Sequence, residues 1–254
     1  MEQGTANSAM SKLELIRIAL DTSPDGWKDH LESIRSMMAS LDFSDASQGE
    51  SQREWQLSVL TVFQRVVHVG IDNEGSDVQD IMEWCLKQSL VLIHFYPEDV
   101  TLLALIGENW LLRAQKPLLN IHQEEQSSVS SGDSQYPMST SVEAQSQTES
   151  AKFEAERRLD AADYVEARAL LLPAVEYLKR AVAAARIQNK ITGVLLTKAA
   201  EAYMSLGNVS SIKVNEPYFR AALLYLQEAS RVPDYNLPAH LQHYLEDFGP
   251  VALG

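Results

Sequence analysis

Apolar residues recur every three or four positions through most of the chain, which is the spacing of amphipathic helices. Early stretches with this spacing cover about 11–21, 26–41, 51–71, 76–95 and 98–121. Later stretches cover about 150–171, 173–188, 191–206, 217–232 and 238–248. Pro173 would lie in the first turn of the helix that runs to about 188. No clean alternating apolar–polar run stands beside an Asn-Gly or Asp-Gly turn, so the sequence predicts no strands. We therefore predict an all-α protein of antiparallel helical hairpins.

One polar segment interrupts this helical pattern. Residues 123–150 contain nine serines and neither lysine nor arginine. Such a composition cannot bury enough apolar surface to offset the entropy of ordering, so it predicts a disordered linker over 123–149. The sequence then divides into a disordered N-terminus (1–9), a helical segment (10–122) and a second helical segment (150–254) that ends in a capping helix (238–248). The pattern alone leaves open whether the two helical segments form one array.

The charge is strongly negative and unevenly placed. The net charge is −14, and residues 1–150 hold 9 basic and 23 acidic side chains, whereas 151–254 hold 12 of each. An acidic surface repels phosphate backbones, so we expect no nucleic-acid partner. No apolar run approaches the roughly 20 residues of a membrane span, so we expect no membrane partner either.

Cysteine usage and the first residues bear on the compartment. Cys85 is the only cysteine, so the chain has no internal disulfide, and we expect its side chain to be a small buried hydrophobe. No secretory leader is visible at the start of the sequence. A cytoplasmic or nuclear location is the expectation.

Two helices share an ordered set of packing residues. In each helix a large side chain is followed three residues later by an apolar residue, then directly by a small residue, and three residues after that by an aromatic one. The two helices supply Leu103, Ile106, Gly107, Trp110 and Leu196, Ala199, Ala200, Tyr203. A small side chain lets a neighbouring helix approach closely, and the aromatic residue fills the space beside the crossing.

This pattern resembles the tetratricopeptide repeat, a helical hairpin of 34 residues. Pro97 stands where the family places a proline between units, and Gly207 lies in a stretch like the family's inter-helix turn. The following helix supplies Ala222, Leu226 and Ala229 at the later positions, and Ala174, Leu178 and Ala181 fit them as well. Two features depart from the family: nine extra residues, VSSIKVNEP, in the turn, and a proline at 233 that comes one residue early. The resemblance implies stacked hairpins that form an α–α superhelix; an unrelated helical array is the alternative.

The sequence offers little catalytic or metal-binding chemistry. It has no phosphate-binding glycine loop and no nucleophile elbow, and a single cysteine rules out a zinc site of the cysteine type. His240 and His243 lie three residues apart without a strong third ligand, so we predict no metal site. We predict no catalytic residues and no cofactor.

The resemblance implies a concave face that grips an extended peptide or a helix of a partner protein. Among the residues of the family's carboxylate clamp only Lys198 fits, so an acidic chaperone tail is not the expected ligand. Candidate partner-binding residues are the basic ones of the second half: Arg157, Arg158, Lys179, Arg180, Arg186, Lys190 and Lys198. They form either a positive patch for an acidic partner segment or an ordinary solvated face.

The leading prediction is a non-enzymatic scaffold or adaptor that binds a protein through its helical surface. The alternative is a regulatory subunit or an enzyme with a small-molecule pocket lined by Trp27, Trp55, Trp84 and Trp110. We expect these four side chains to fill the core instead. The sequence leaves the partner and the oligomeric state open, including self-association through exposed repeat edges.

Overall fold

The computed structural model describes residues 3–22, 24–43, 49–72, 76–130 and 156–253, and its regular structure in these ranges is entirely helical. The predicted all-α class is therefore confirmed. The α-helices are α1 (Gln3–Thr22), α2 (Leu31–Ser40), α3 (Glu50–Asp72), α4 (Gln79–Phe95), α5 (Val100–Ser130), α6 (Ala162–Ile187), α7 (Gly193–Asn208), α8 (Ile212–Ala229) and α9 (Ala239–Leu253). Two 3₁₀ helices, Pro24–His30 and Ser76–Val78, precede α2 and α4.

The first core lies among α1–α4 and the start of α5. Trp27, Phe43 and Phe63 are its largest fully buried side chains. The Phe43 ring contacts Trp55 and Trp84 edge to face, with centroids 6.1 and 5.5 Å apart. These tryptophans therefore contribute to the core, as predicted, and the buried Cys85 belongs to the same cluster.

The second core joins α5, α6, α7 and α8. Asn120 donates to Asp163 at 3.1 Å, and at the other end Gln188 donates to the Glu98 carbonyl at 2.8 Å. These contacts show that α5 and α6 run antiparallel. Because they form one hairpin, the predicted linker stands in sequence between two helices of a single packing unit, and the two helical segments are not separate domains at this point.

The boundaries of α5 and α6 differ from the predicted ones. Helix α5 continues through Ser130, eight residues into the predicted linker, so that part is helical; residues 131–149 lie outside the described ranges. The Tyr164 hydroxyl donates to Glu125 at 2.7 Å and ties this extension to α6. Helix α6 begins at Ala162 and passes unbroken through Pro173, which was predicted to start a new helix. A proline inside a helix removes one backbone hydrogen bond, but the fully buried Leu171 and Ala174 on either side hold α6 in place.

Three other boundaries also differ. Helix α1 begins at Gln3, inside the predicted disordered N-terminus; elongation of an existing helix adds one hydrogen bond for each residue fixed. Helix α8 begins at Ile212, so most of the nine extra residues form its first turns, capped by Ser211, which accepts from the Lys213 amide. Helix α9 continues through Gly249 and Pro250 to Leu253. Leu241 of α9 is buried against α7 and α8. This residue was predicted to lie on the inward face of the capping helix.

Candidate functional site

An open groove of about 820 Å³ lies between α3, α5 and α7. Helix α3 provides Leu57, Thr61, Gln64 and His68; α5 provides Val100, Thr101, Ala104 and Glu108; and α7 provides Val194, Leu195 and Lys198. Residues three and four apart share one face of a helix, so each helix presents a single stripe to the groove. The centre of the groove is apolar, and the two ends of the groove carry charged side chains.

The three helices point in the same direction. Helix α4 returns from α3 to α5, and α6 returns from α5 to α7, so every second helix is parallel. Arg53 pairs with Asp99 near the start of α3 and α5, and Gln64 donates to the Leu105 carbonyl further along both helices. The groove is therefore lined by the first helix of each of three consecutive hairpins: α3/α4, α5/α6 and α7/α8.

Asp99 anchors the lower end of the groove, where these three helices begin. Its side chain accepts from the Leu102 amide at 2.9 Å, which caps the start of α5. It also forms an ion pair with Arg53, whose guanidinium lies 4.8 Å from the Tyr96 ring. The hydrogen bond to Asp99 raises the pKa of Arg53. Because Asp99 satisfies a helix terminus and a cation together, it fixes α3 against α5.

A buried polar network fastens α3, α4 and α5 beneath the groove. Asn109 is fully buried, and its amide donates to the Gln64 side chain at 3.2 Å and to the Met82 carbonyl at 3.0 Å. Arg113 donates to the Asn109 side-chain oxygen at 3.0 Å. Burial lowers the pKa of Arg113. The network fixes the register of the parallel helices, because each buried amide needs its particular partner.

The upper end of the groove brings together charged residues of several helices. Lys198 lies 3.7 Å from Glu108, and both side chains are about three-quarters buried. Glu201, one turn further along α7, is half-buried, and its burial raises the pKa of this carboxyl, partly offset by Lys198 and His240. Glu108 and Lys198 line the groove here, whereas Glu201 lies outside its lining.

The packing residues predicted from the sequence are buried, apart from the aromatic pair. Trp110 and Tyr203 are half-buried. A Cβ atom added to Gly107 would lie 2.6 Å from Leu178 Cγ and 3.2 Å from the Ala174 carbonyl oxygen, so this glycine lies where α5 and α6 cross. The buried set comprises Leu103, Ile106, Gly107, Leu196, Ala199, Ala200, Gly207, Ala222, Leu226 and Ala229.

The seven predicted partner-binding cations are dispersed, and only Lys190 and Lys198 line the groove. Others have acidic neighbours: Lys179 lies 3.8 Å from Glu176, and Arg186 pairs with Glu228. Arg180 donates to the Pro97 carbonyl at 3.4 Å, while Arg157 and Arg158 lie in a short helical turn before α6. Because local acidic groups partner much of the set, it is not one continuous positive patch.

Sequence reasoning missed the three residues that assemble the groove: Gln64, Asp99 and Asn109. Asp99 carries a usable signal, since an aspartate just before a helix is a favoured N-cap. Gln64 and Asn109 are polar residues inside apolar helical stretches, which identifies them as unusual without revealing that they meet. None of the four tryptophans lines the groove.

The described helices include none long and apolar enough to cross a bilayer. Within the same ranges, histidine, cysteine and carboxylate side chains form no group of three or more that could hold a metal ion. Comparison with protein-family models, with curated proteins and with solved structures gave no match.

Proposed function

We propose that this protein is a non-enzymatic adaptor that binds an extended segment of a partner protein in the groove between α3, α5 and α7. The observation that carries the proposal is that the first helices of three consecutive hairpins turn one stripe each toward a common open groove. The occupant would lie over the apolar centre formed by Leu57, Ala104 and Val194.

The two later hairpins support the tetratricopeptide-like part of this proposal. Gly107 of α5 packs against Ala174 and Leu178 of α6. Ala200 of α7 belongs to the same buried cluster as Ala222 and Leu226 of α8. In both hairpins a small residue of the first helix meets an alanine and, four residues later, a leucine of the second. This repeated arrangement supports a common unit for the two hairpins.

The groove's charged residues also suit binding. Asp99 is held by a helix terminus and by Arg53, and Glu108 lies beside Lys198. A carboxyl that acts as a general acid or base must lie within hydrogen-bond reach, about 3 Å, of the substrate atom with which it exchanges a proton. Asp99 and Glu108 are engaged in ion pairs, which fix the shape of the groove.

Site-specific photo-crosslinking in cells tests the proposal. A photoreactive p-benzoylphenylalanine replaces the exposed groove residue Thr101 in one variant and Leu224, 51% exposed on α8 and outside the groove, in the matched control. We expect a discrete covalent adduct with another protein from position 101 and none from position 224. Equal adducts from both positions, or none from position 101, would contradict the proposal.

A further inference from the structure

The charges of the groove specify its occupant more closely. At the lower end Arg53 is paired with Asp99, which leaves the exposed Glu50 and Glu54 facing one lysine, Lys190. Both glutamates lie on α3 on either side of Arg53. The lower end therefore has one excess negative charge, and both glutamates are available to a ligand.

The upper end has the same sign. Glu108 lies beside Lys198 in the lining, and Glu201, which is outside the lining, interacts electrostatically with both. Arg65 also lines this end, but it forms an ion pair with Asp21 at 2.7 Å, outside the groove. One negative charge again remains in excess.

The centre between these two ends is apolar and short. From the level of Asp99 to that of Glu108 is nine residues of α5, which at 1.5 Å per residue is about 14 Å. An extended chain covers this length in about four residues. Exposed apolar surface between the ends includes Val194, which is 53% exposed.

Resting on the proposed function, we propose that the occupant is an extended protein segment with lysine or arginine at both ends of about three apolar residues. Its basic side chains would pair with Glu50 and Glu54 at one end and with Glu108 at the other, where nearby Glu201 adds negative charge. This charge is opposite to that of the acidic segment which a positive patch in the second half would have received. An acidic segment would meet repulsion at both ends of the groove.

Selection from a displayed library of random 12-residue peptides tests this inference on the full chain. Peptides are selected on the wild-type protein and counter-selected on Val194→Arg, which places a bulky cation in the groove; Leu224→Arg is the matched exposed apolar-to-arginine control. Enrichment of peptides that bind wild type and Leu224→Arg but not Val194→Arg supports the proposed function whatever their charge. Failure to enrich any such peptide would overturn the groove as a binding site, and with it the inference.

The charge pattern of the enriched peptides decides the inference itself. We expect two basic residues separated by about three apolar ones, and affinity that falls with added salt. Reversal of both lower glutamates, in Glu50→Lys with Glu54→Lys, should weaken binding about tenfold, because each exposed charge pair contributes a factor of about two to five. The matched reversal of Glu166 and Glu216, which are exposed outside the groove, should leave affinity within about twofold. Groove-dependent peptides that are acidic or uncharged, or equal effects of the two reversals, would overturn it.

Discussion

The crossing of α5 and α6 at Gly107 makes the sharpest prediction about the fold. A Cβ atom at this position would lie 2.6 Å from Leu178 Cγ, 3.1 Å from the Leu178 backbone nitrogen and 3.2 Å from the Ala174 carbonyl oxygen. Two of these neighbours are backbone atoms of α6, which cannot move without the whole helix. Gly107→Ala should therefore separate the helices or displace Leu178.

The expected magnitude follows from two opposing effects. Alanine in place of glycine inside a helix gains about 1 kcal/mol of helix propensity. Overpacking a close contact costs about 1–3 kcal/mol. Because two of the crowded atoms belong to the backbone, the cost should lie in the upper part of this range, about 2–3 kcal/mol. We therefore expect a net loss of about 1–2 kcal/mol in the free energy of unfolding for Gly107→Ala, and a larger loss for Gly107→Leu.

Urea unfolding followed by far-ultraviolet circular dichroism measures this loss. The control is Gly49→Ala, since a Cβ at Gly49 meets nothing within 4 Å; its change should stay within about 0.5 kcal/mol. In a Leu178→Ala background, Gly107→Ala should cost about 1 kcal/mol less than in the wild type, because the nearest clashing atom is gone. Gly107→Ala as stable as the Gly49 control, or effects that simply add in the double variant, would refute the crossing geometry.

Four further predictions concern the core and the groove. Ala200→Leu should cost about 1–3 kcal/mol, because Ala200 is fully buried between α7, α8 and α9; normal urea unfolding would count against that contact. Asn109→Ala should cost about 2–3 kcal/mol, since it leaves buried amide and carbonyl groups without partners; the same unfolding assay checks it, and a neutral effect would deny the network. Burial raises the pKa of Glu201 in the folded state, so ionisation of this carboxyl opposes folding at pH values above the usual glutamate pKa. Glu201→Gln should therefore raise the melting temperature at pH 7, and the gain should vanish as the pH falls below the usual glutamate pKa. A difference in melting temperature that does not change with pH would contradict the raised pKa. Burial raises the pKa of the Cys85 thiol, so a thiol reagent should modify it only on unfolding; rapid modification of the native protein would show that the first core is open.

The local pattern predicted the helices well because burial of one stripe per helix determines their existence. Leu103, Ile106 and Leu196 stand at helical spacing and are buried in the structure. Helix ends were predicted less well, since they depend on contacts distant in sequence. The local chemistry of proline predicted that one helix ends and another begins at Pro173. The packing of α6 against α5 nevertheless keeps the helix continuous through this residue.

The groove was less accessible to sequence reasoning. Arg53 and Asp99 lie 46 positions apart in the sequence, and Gln64 and Asn109 lie 45 apart, so no local window contains either pair. Lys198 was chosen for its charge, but its neighbour Glu108 belongs to another hairpin. These residues can be read from the sequence, but the contacts between them depend on how the parallel helices α3, α5 and α7 align in the fold.

Methyl-group nuclear magnetic resonance of the full chain, with a groove-dependent peptide from the library added, tests whether a ligand occupies the groove between α3, α5 and α7. We expect chemical-shift changes at Leu57, Ala104 and Val194 that saturate together. Changes centred on the exposed Leu172 of α6 or Leu224 of α8, with the groove methyls unmoved, would contradict it.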